Sequence, residues 1–324
     1  GLRPDRHGIV ENNIEDPAIP GVTFKMSNHD AVVDRRWWDQ GEPIWVTAER
    51  AGIVTATMFW PGSEAPIRGI YPRHWLAFDQ KLPSEARVDQ VLRWLDLPPA
   101  NRPAFVTLYF DAVDTAGHRG GPDSAEVNAA AAAIDAALGR LVAGLQARGL
   151  VANLVIVADH GMAQLSDERM IYMDDLLPKD AYRSLTGGAF MTIYPAQGRK
   201  AQVLKALRGP HPHLRCWEKA KIPARFHYGK NPRVAPILCL PDTGWRLTTR
   251  DFKPSEPERG AHGYDNLSPE MAAIFVASGP AFRAGVTLKP FDNVDVYPLL
   301  AHLVGVRPRP GDGRFKAVAP ALAK

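Results

Sequence analysis

The chain has 324 residues, 45% hydrophobic and 23% charged, the composition of an ordinary globular enzyme long enough for one large domain or two small ones. Its net charge of +4 favours anionic partners such as phosphate esters, although an ordinary basic surface reads the same way. No run of five Lys or Arg marks a nucleic-acid tail, no apolar run reaches the roughly 18 residues of a membrane span, and no signal peptide is recognisable.

The opening GLRPDRHGIVENN reads as the inside of a domain, without an initiator methionine or a disordered lead-in. Short β-branched and aromatic runs then alternate with helical patterns. Core strands are predicted at Ile44–Val46, Val54–Phe59, Ala104–Phe110, Leu154–Ala158, Phe190–Tyr194 and Ala272–Ala277, mostly without polar alternation, as for strands buried on both faces. A helix over Glu85–Leu95 carries Val88, Val91, Leu92 and Leu95 on one face, with Ser84 as N-cap. The clearest helix runs from Ser124 to Arg148, capped by Asp123 or Ser124 and ended by Gly149. A third lies near Val294–Val304, where Pro298 confines or kinks it. The Trp37-Trp38 pair reads as core. Residues 197–248, rich in Pro, Gly and Arg, read as an irregular insertion with short strands inside one domain covering 1–324. The pattern is α/β: a central, mostly parallel sheet with helices on both faces. Two cysteines, Cys216 and Cys239, form either one disulfide or two buried thiols.

Chemistry concentrates in three glycine-containing turns: Asp114 and His118 in DAVDTAGHRGGP, Asp159 and His160 in VADHGM, and His262 in ERGAHGYDN. Imidazole nitrogen and carboxylate oxygen without thiolate suit catalytic zinc. Three His and two Asp are too many for one open zinc site and one or two short of two. Two of the turns directly follow predicted strands, where open α/β sheets bind their ligands. Taken singly, Asp114 and His118 also fit a surface i,i+4 pair, and Asp159-His160 a turn Asp beside a core His. The other seven histidines read as surface or structural.

These segments, with LRPDRHGIVEN, FWPGSE, FHYGKNPR and NVDVYPLLAHLVG, form an ordered set that resembles the nucleotide pyrophosphatase/phosphodiesterases of the alkaline-phosphatase superfamily, of bacterial type. The resemblance implies an alkaline-phosphatase-like sheet and two Zn²⁺ ions. Asp114, His118 and His262 would hold one, and Asp159 and His160 two places on the other. It implies that Asn12 hydrogen-bonds a phosphoryl oxygen, and that Trp75 is an aromatic surface for the nucleotide base; Tyr109, five residues before Asp114 near the same strand end, is expected to be a second. The substrate would be a small nucleotide or phosphodiester, not a nucleic-acid duplex, cleaved to a nucleoside 5′-monophosphate through a phosphothreonine intermediate. A periplasmic or secreted location follows from the family alone. The family threonine nucleophile sits in a TFPN-type segment roughly ten residues ahead of where this chain starts, with a further Asp ligand upstream on the first strand. The chain is therefore expected to be N-terminally incomplete, its first strand missing and its second zinc site unfinished. The competing readings are a phosphomonoester, phosphonate or lipid-headgroup hydrolase of the same superfamily, and a catalytically incomplete metal-binding fragment.

Overall fold

The computed structural model describes residues 1–253 and 256–323. Its larger parallel ladder has three strands, in the order His74–Leu76, Thr55–Met58, Phe105–Leu108, with Ala56 opposite His74 and Thr55 opposite Phe105; Arg246–Thr248 and Met170–Tyr172 form a separate parallel pair. The middle strand is buried throughout. Leu154–Val157 pairs antiparallel with Phe275–Ser278, Val157 opposite Phe275. The architecture is α/β, as the sequence pattern and the resemblance imply.

Several local expectations need correcting. Ile44–Val46 is not a strand: it opens the helix Ile44–Arg50, in which Ile44 to Ala48 are all buried. A three-residue apolar run has no period to read, and the structure buries this one all round. The Phe105–Leu108 strand alternates buried and half-buried positions, and Leu154–Val157 is half-buried to exposed, so neither has both faces covered by described residues. The strand expected from Ala272 begins at Phe275, after a 3₁₀ turn at Pro269–Met271.

The long helix spans Ala125–Ala147, with Ser124 Oγ accepting from Val127 N at 3.2 Å and Gly149 at φ 62° just past its end. By length and composition it is long and apolar enough to cross a membrane, so the expected absence of a membrane span is not established; its apolar character comes largely from alanine. In the fold, Ala137, Leu141 and Leu145 pack with Val88, Val91 and Leu92 of the helix Ser84–Leu95. Arg140–Asp89 and Arg148–Asp96 pairs, each at 2.7 Å, tie the two together. Ser84 lies in the first turn of its helix and caps nothing; Pro83 takes the N-cap position. Pro298 falls in the first turn of Val296–Leu303, where a missing N–H breaks no helical bond.

Residues 197–248 carry the helix Lys200–Leu207 and the strands Leu214–Glu218, Ile237–Pro241 and Arg246–Thr248. The first two of these strands join Met191–Pro195 and Tyr182–Arg183 in a four-stranded antiparallel sheet. Cys216 stands opposite Cys239 across that sheet, and the two form a disulfide. Closing a loop of 23 residues' separation constrains the unfolded chain by roughly 3 kcal/mol. Reductant should therefore lower the Tm of the native protein and leave a Cys216→Ser/Cys239→Ser protein unmoved, as read by thermal melts.

Two sequence motifs lock together at the chain's start. Asp5 of LRPD accepts from the backbone N–H of Gly229, Lys230 and Asn231 at 2.9, 2.8 and 3.0 Å. Arg233, 1% exposed at its side chain, donates to Asp16 at 2.5 Å and to the carbonyls of Gly8, Trp37 and Arg36 at 3.0, 2.6 and 2.9 Å. Gly8 is at φ 78°, and a Cβ there would meet the Gln40 side chain. The turn from Gly8 to Asp16, which bears Asn12, is thus fixed from one side by FHYGKNPR.

Candidate metal centre

The Phe105–Leu108 strand feeds the helix Ala112–Gly120. Asp114 sits in its first turn and His118 four residues on, so both side chains leave the same face. The Leu154–Val157 strand leads directly to Asp159 and His160. The third segment arrives as the two-residue strand Gly260–Ala261, paired with Ala163–Gln164, which sets His262 beside His160. Close backbone approach makes this possible. A Cβ on Gly260 would lie 2.3 Å from the carbonyl oxygen of Gly117, and one on Gly161 2.1 Å from that of Glu270.

All five predicted ligands meet here. The Nε2 atoms of His118, His160 and His262 lie 3.6, 4.0 and 3.6 Å from the carboxylate of Asp114, and Asp159 is 3.4 Å from His160 Nε2. The His160 and His262 rings stack at 3.5 Å. The Nδ1 atoms of His118 and His160 face the carbonyls of Gly260 and Gly161 at 3.0 and 2.9 Å. A proton held there fixes the tautomer and leaves Nε2 free as a ligand atom. The tightest triad is Asp114, His160 and His262, with donor atoms within 4.8 Å of one another; it draws on both of the expected ligand sets. Asp159 is the most exposed of the five.

The electrostatics suit a cation. Asp114 Oδ1 is fully buried and has no hydrogen-bond partner among the described residues, a state that costs free energy unless something positive satisfies it. Burial raises the Asp114 pKa, with His118 and His160 opposing the rise. Burial, then His160 and His118, lowers the His262 pKa to about 3, so its imidazole is neutral at physiological pH and available to a metal. Oxygen and imidazole donors with no thiolate fit zinc or another borderline divalent ion.

Tyr109 stands at the end of the same strand. Its hydroxyl pKa is raised to about 12 by burial and by the charges of Asp159, Asp111 and Asp114, which puts the ring beside the cluster. Trp75 lies on the edge strand His74–Leu76, stacked on Tyr71 at 5.4 Å. Asn12 is exposed just before the strand Asn13–Glu15, its carbonyl accepting from Met26 N at 3.3 Å; no hydrogen bond joins it to the cluster among the described residues.

Sequence reasoning missed Arg87. Buried at 3% exposure, it donates to the Tyr109 carbonyl at 3.0 Å and to Asp111 Oδ1 at 2.8 Å, and lies 5.1 Å over the Phe59 ring. It therefore braces the strand end that delivers both Tyr109 and the helix of Asp114. Its signal was a charged residue inside the apolar face of Ser84–Leu95. Phe59, expected as the end of the strand Val54–Phe59, lies just past the observed strand Thr55–Met58, at φ 58° and 2% exposed; Phe78, 48% exposed, packs edge-on against it at 5.4 Å.

Residues 1–265 match the family described as type I phosphodiesterase / nucleotide pyrophosphatase. The chain is 36% identical over 342 residues to a Schizosaccharomyces pombe protein named as an uncharacterized pyrophosphatase/phosphodiesterase, covering 99% of this chain and 69% of that protein. It is 38% identical over 327 residues to a venom phosphodiesterase of Crotalus durissus collilineatus, covering 97% of this chain and 38% of the venom protein, so it spans a little over a third of that relative. Among solved structures, murine ectonucleotide pyrophosphatase/phosphodiesterase 5, in an inactive form in complex with AMP, superposes with a TM-score of 0.93 at 34% identity, over 99% of this chain and 85% of that one.

Proposed function

Since the chain belongs to the type I phosphodiesterase/nucleotide pyrophosphatase family, we propose that it is a zinc-dependent hydrolase of nucleotide phosphodiester or pyrophosphate bonds that releases nucleoside 5′-monophosphates. The observation that carries this reading is the convergence of three imidazole Nε2 atoms on the Asp114 carboxylate, His160 and His262 on its buried, unpartnered Oδ1 and His118 on Oδ2. Asp114, His118 and His262 are assigned to one zinc, and Asp159 and His160 to a second. When bound, the ions supply Lewis acidity and neutralise the phosphate charge that shields phosphorus from attack.

The chain's own residues prepare the rest. Backbone carbonyls orient His118 and His160, and burial keeps His262 uncharged. The Asn12 amide donates to a phosphoryl oxygen. Tyr109 offers a ring to the base, and Trp75 a second. Stacking of this kind tolerates any base and is worth roughly 1–3 kcal/mol, so Tyr109→Ala should raise KM for nucleotide esters roughly five- to hundredfold with little change in kcat. Trp75→Ala should raise KM as well; an unchanged KM would remove Trp75 from the substrate surface.

No threonine of this sequence is assigned as the attacking nucleophile. Thr55 and Thr57 are fully buried in their strand and Thr47 is packed inside its helix, which supports choosing none of them. An exported location is supported by the Cys216–Cys239 disulfide, since such bonds persist in oxidising compartments.

The test is turnover of p-nitrophenyl thymidine 5′-monophosphate by the protein, with zinc and with EDTA. Zinc-dependent, EDTA-sensitive turnover is the expected result. EDTA-insensitive turnover would sink the metal mechanism.

A further inference from the structure

Three separate segments bring the ligand side chains together, and one side chain lies between them. Met162 follows Asp159, His160 and Gly161 directly and is half-buried. A Cβ on Gly117 would lie 2.9 Å from Met162 Cε and 3.4 Å from its Cγ. One on Gly260 would lie 2.9 Å from Met162 Cγ and 3.0 Å from its Sδ. The thioether therefore occupies space that side chains at both glycines would take. Met162 belongs to one ligand-bearing segment and packs against the other two.

Neither glycine is at a left-handed φ, so backbone conformation does not call for glycine at either place. Gly117 stands inside the helix Ala112–Gly120, where glycine is less favourable than alanine. Gly260 opens the strand Gly260–Ala261, where glycine marks a close approach by another group. At both positions Met162 is among the groups that come close.

The two glycines adjoin the ligands. Gly117 is the neighbour of His118. The Arg259 N–H donates to the His118 carbonyl at 2.7 Å, and the Gly260 carbonyl faces His118 Nδ1 at 3.0 Å. Residues 259–260 thus grip that histidine by its backbone and by its ring, and the same segment goes on to deliver His262. Ala163, next to Met162, pairs with Ala261, and the Gln164 side-chain amide donates to the Arg259 carbonyl at 2.9 Å. This pairing sets the register of His262 against His160. The distance from both to the helix of His118 is set by what fills the space between, and Met162 fills it. An unbranched, flexible side chain suits such an irregular gap, and it brings no N–H or O–H to compete with the histidine hydrogen bonds.

We propose that Met162 is a positioning residue for the metal centre: its thioether, wedged between Gly117 and Gly260, sets the distance of His118 and His262 from His160, and removing it opens the ligand cluster in a protein that stays folded. This rests on the zinc reading above. Met162 is not assigned as a ligand; it acts through the segments it holds apart.

The test is zinc affinity by equilibrium dialysis against buffered free zinc, for wild type, Met162→Leu and Met162→Ala, at a temperature where circular dichroism shows each protein folded. Leucine is close to methionine in volume, and such swaps disturb a core little. Alanine leaves a cavity that its surroundings fill only in part. Met162→Ala should bind zinc roughly ten- to hundredfold more weakly, the range seen when a group that orients ligands without touching the metal is lost. Met162→Leu should stay close to wild type.

A lower metal-free Tm with unchanged zinc affinity in Met162→Ala would make Met162 a packing residue and overturn the proposal. Equal zinc losses in Met162→Leu and Met162→Ala would overturn it too, because leucine restores the volume. Where Met162→Ala does not fold, Met162→Val takes its place: it stays apolar but has no atom at the position of Met162 Cε, and the same outcomes decide. Wild type that binds no zinc would overturn the zinc reading itself and the positioning role with it, a result distinct from the other two.

Discussion

Asp114→Asn is expected to lower zinc-dependent turnover by about a thousandfold or more, in a protein that stays folded. Asparagine keeps the shape and one oxygen but removes the charge on which three imidazoles converge. A metal's charge is worth several kcal/mol at the transition state, and each 1.4 kcal/mol is a factor of ten. Without metal the same substitution should leave Tm equal or slightly higher, because burial disfavours the Asp114 charge. A drop in activity accompanied by a large drop in metal-free Tm would mean that Asp114 is structural. Unchanged zinc affinity in the folded variant would remove it from the ligand set.

The second large effect concerns stability. Arg233→Met should cost about 3–5 kcal/mol, the loss seen when one partner of a buried ion pair is removed. Asp16 would keep a bond from Ala18 N at 2.8 Å but lose its counter-ion, and the carbonyls of Gly8, Trp37 and Arg36 would lose their donor. The double substitution Asp16→Leu/Arg233→Met should be less destabilising than Arg233→Met alone, since it buries no unpaired charge. Urea midpoints of the three proteins check this. Equal losses in single and double variants would show that packing around Arg233, including its contact with the Trp37 ring at 5.2 Å, matters more than its charge. Because this pair pins the Gly8–Asp16 turn, Arg233→Met should also weaken AMP binding through Asn12.

The metal-type residues were legible because each stood in a turn right after a strand or beside glycine, and because their chemistry differs sharply from that of a core. The long helix was equally plain, with its Ser124 cap and Gly149 stop. Ile44–Val46 was misread because three apolar residues fit a strand or a buried helix alike, and the difference lies in what packs around them. Arg87 was invisible for a related reason: a charged residue on an apolar helical face reads as a solvated flank, and its cage of carbonyls, Asp111 and Phe59 forms only when distant segments meet. The cysteines were left open between thiols and a disulfide; strand register across the sheet, absent from any local pattern, places them opposite one another.

The most direct test of the account is the zinc content of this chain after equilibrium dialysis at low micromolar zinc, wild type against Asp114→Asn and His262→Ala. Wild type should hold zinc tightly through Asp114, His118 and His262, with weaker binding at Asp159 and His160, and both variants should lose the tight component. Wild type that binds no zinc above background, or variants that keep the wild-type amount, would contradict it.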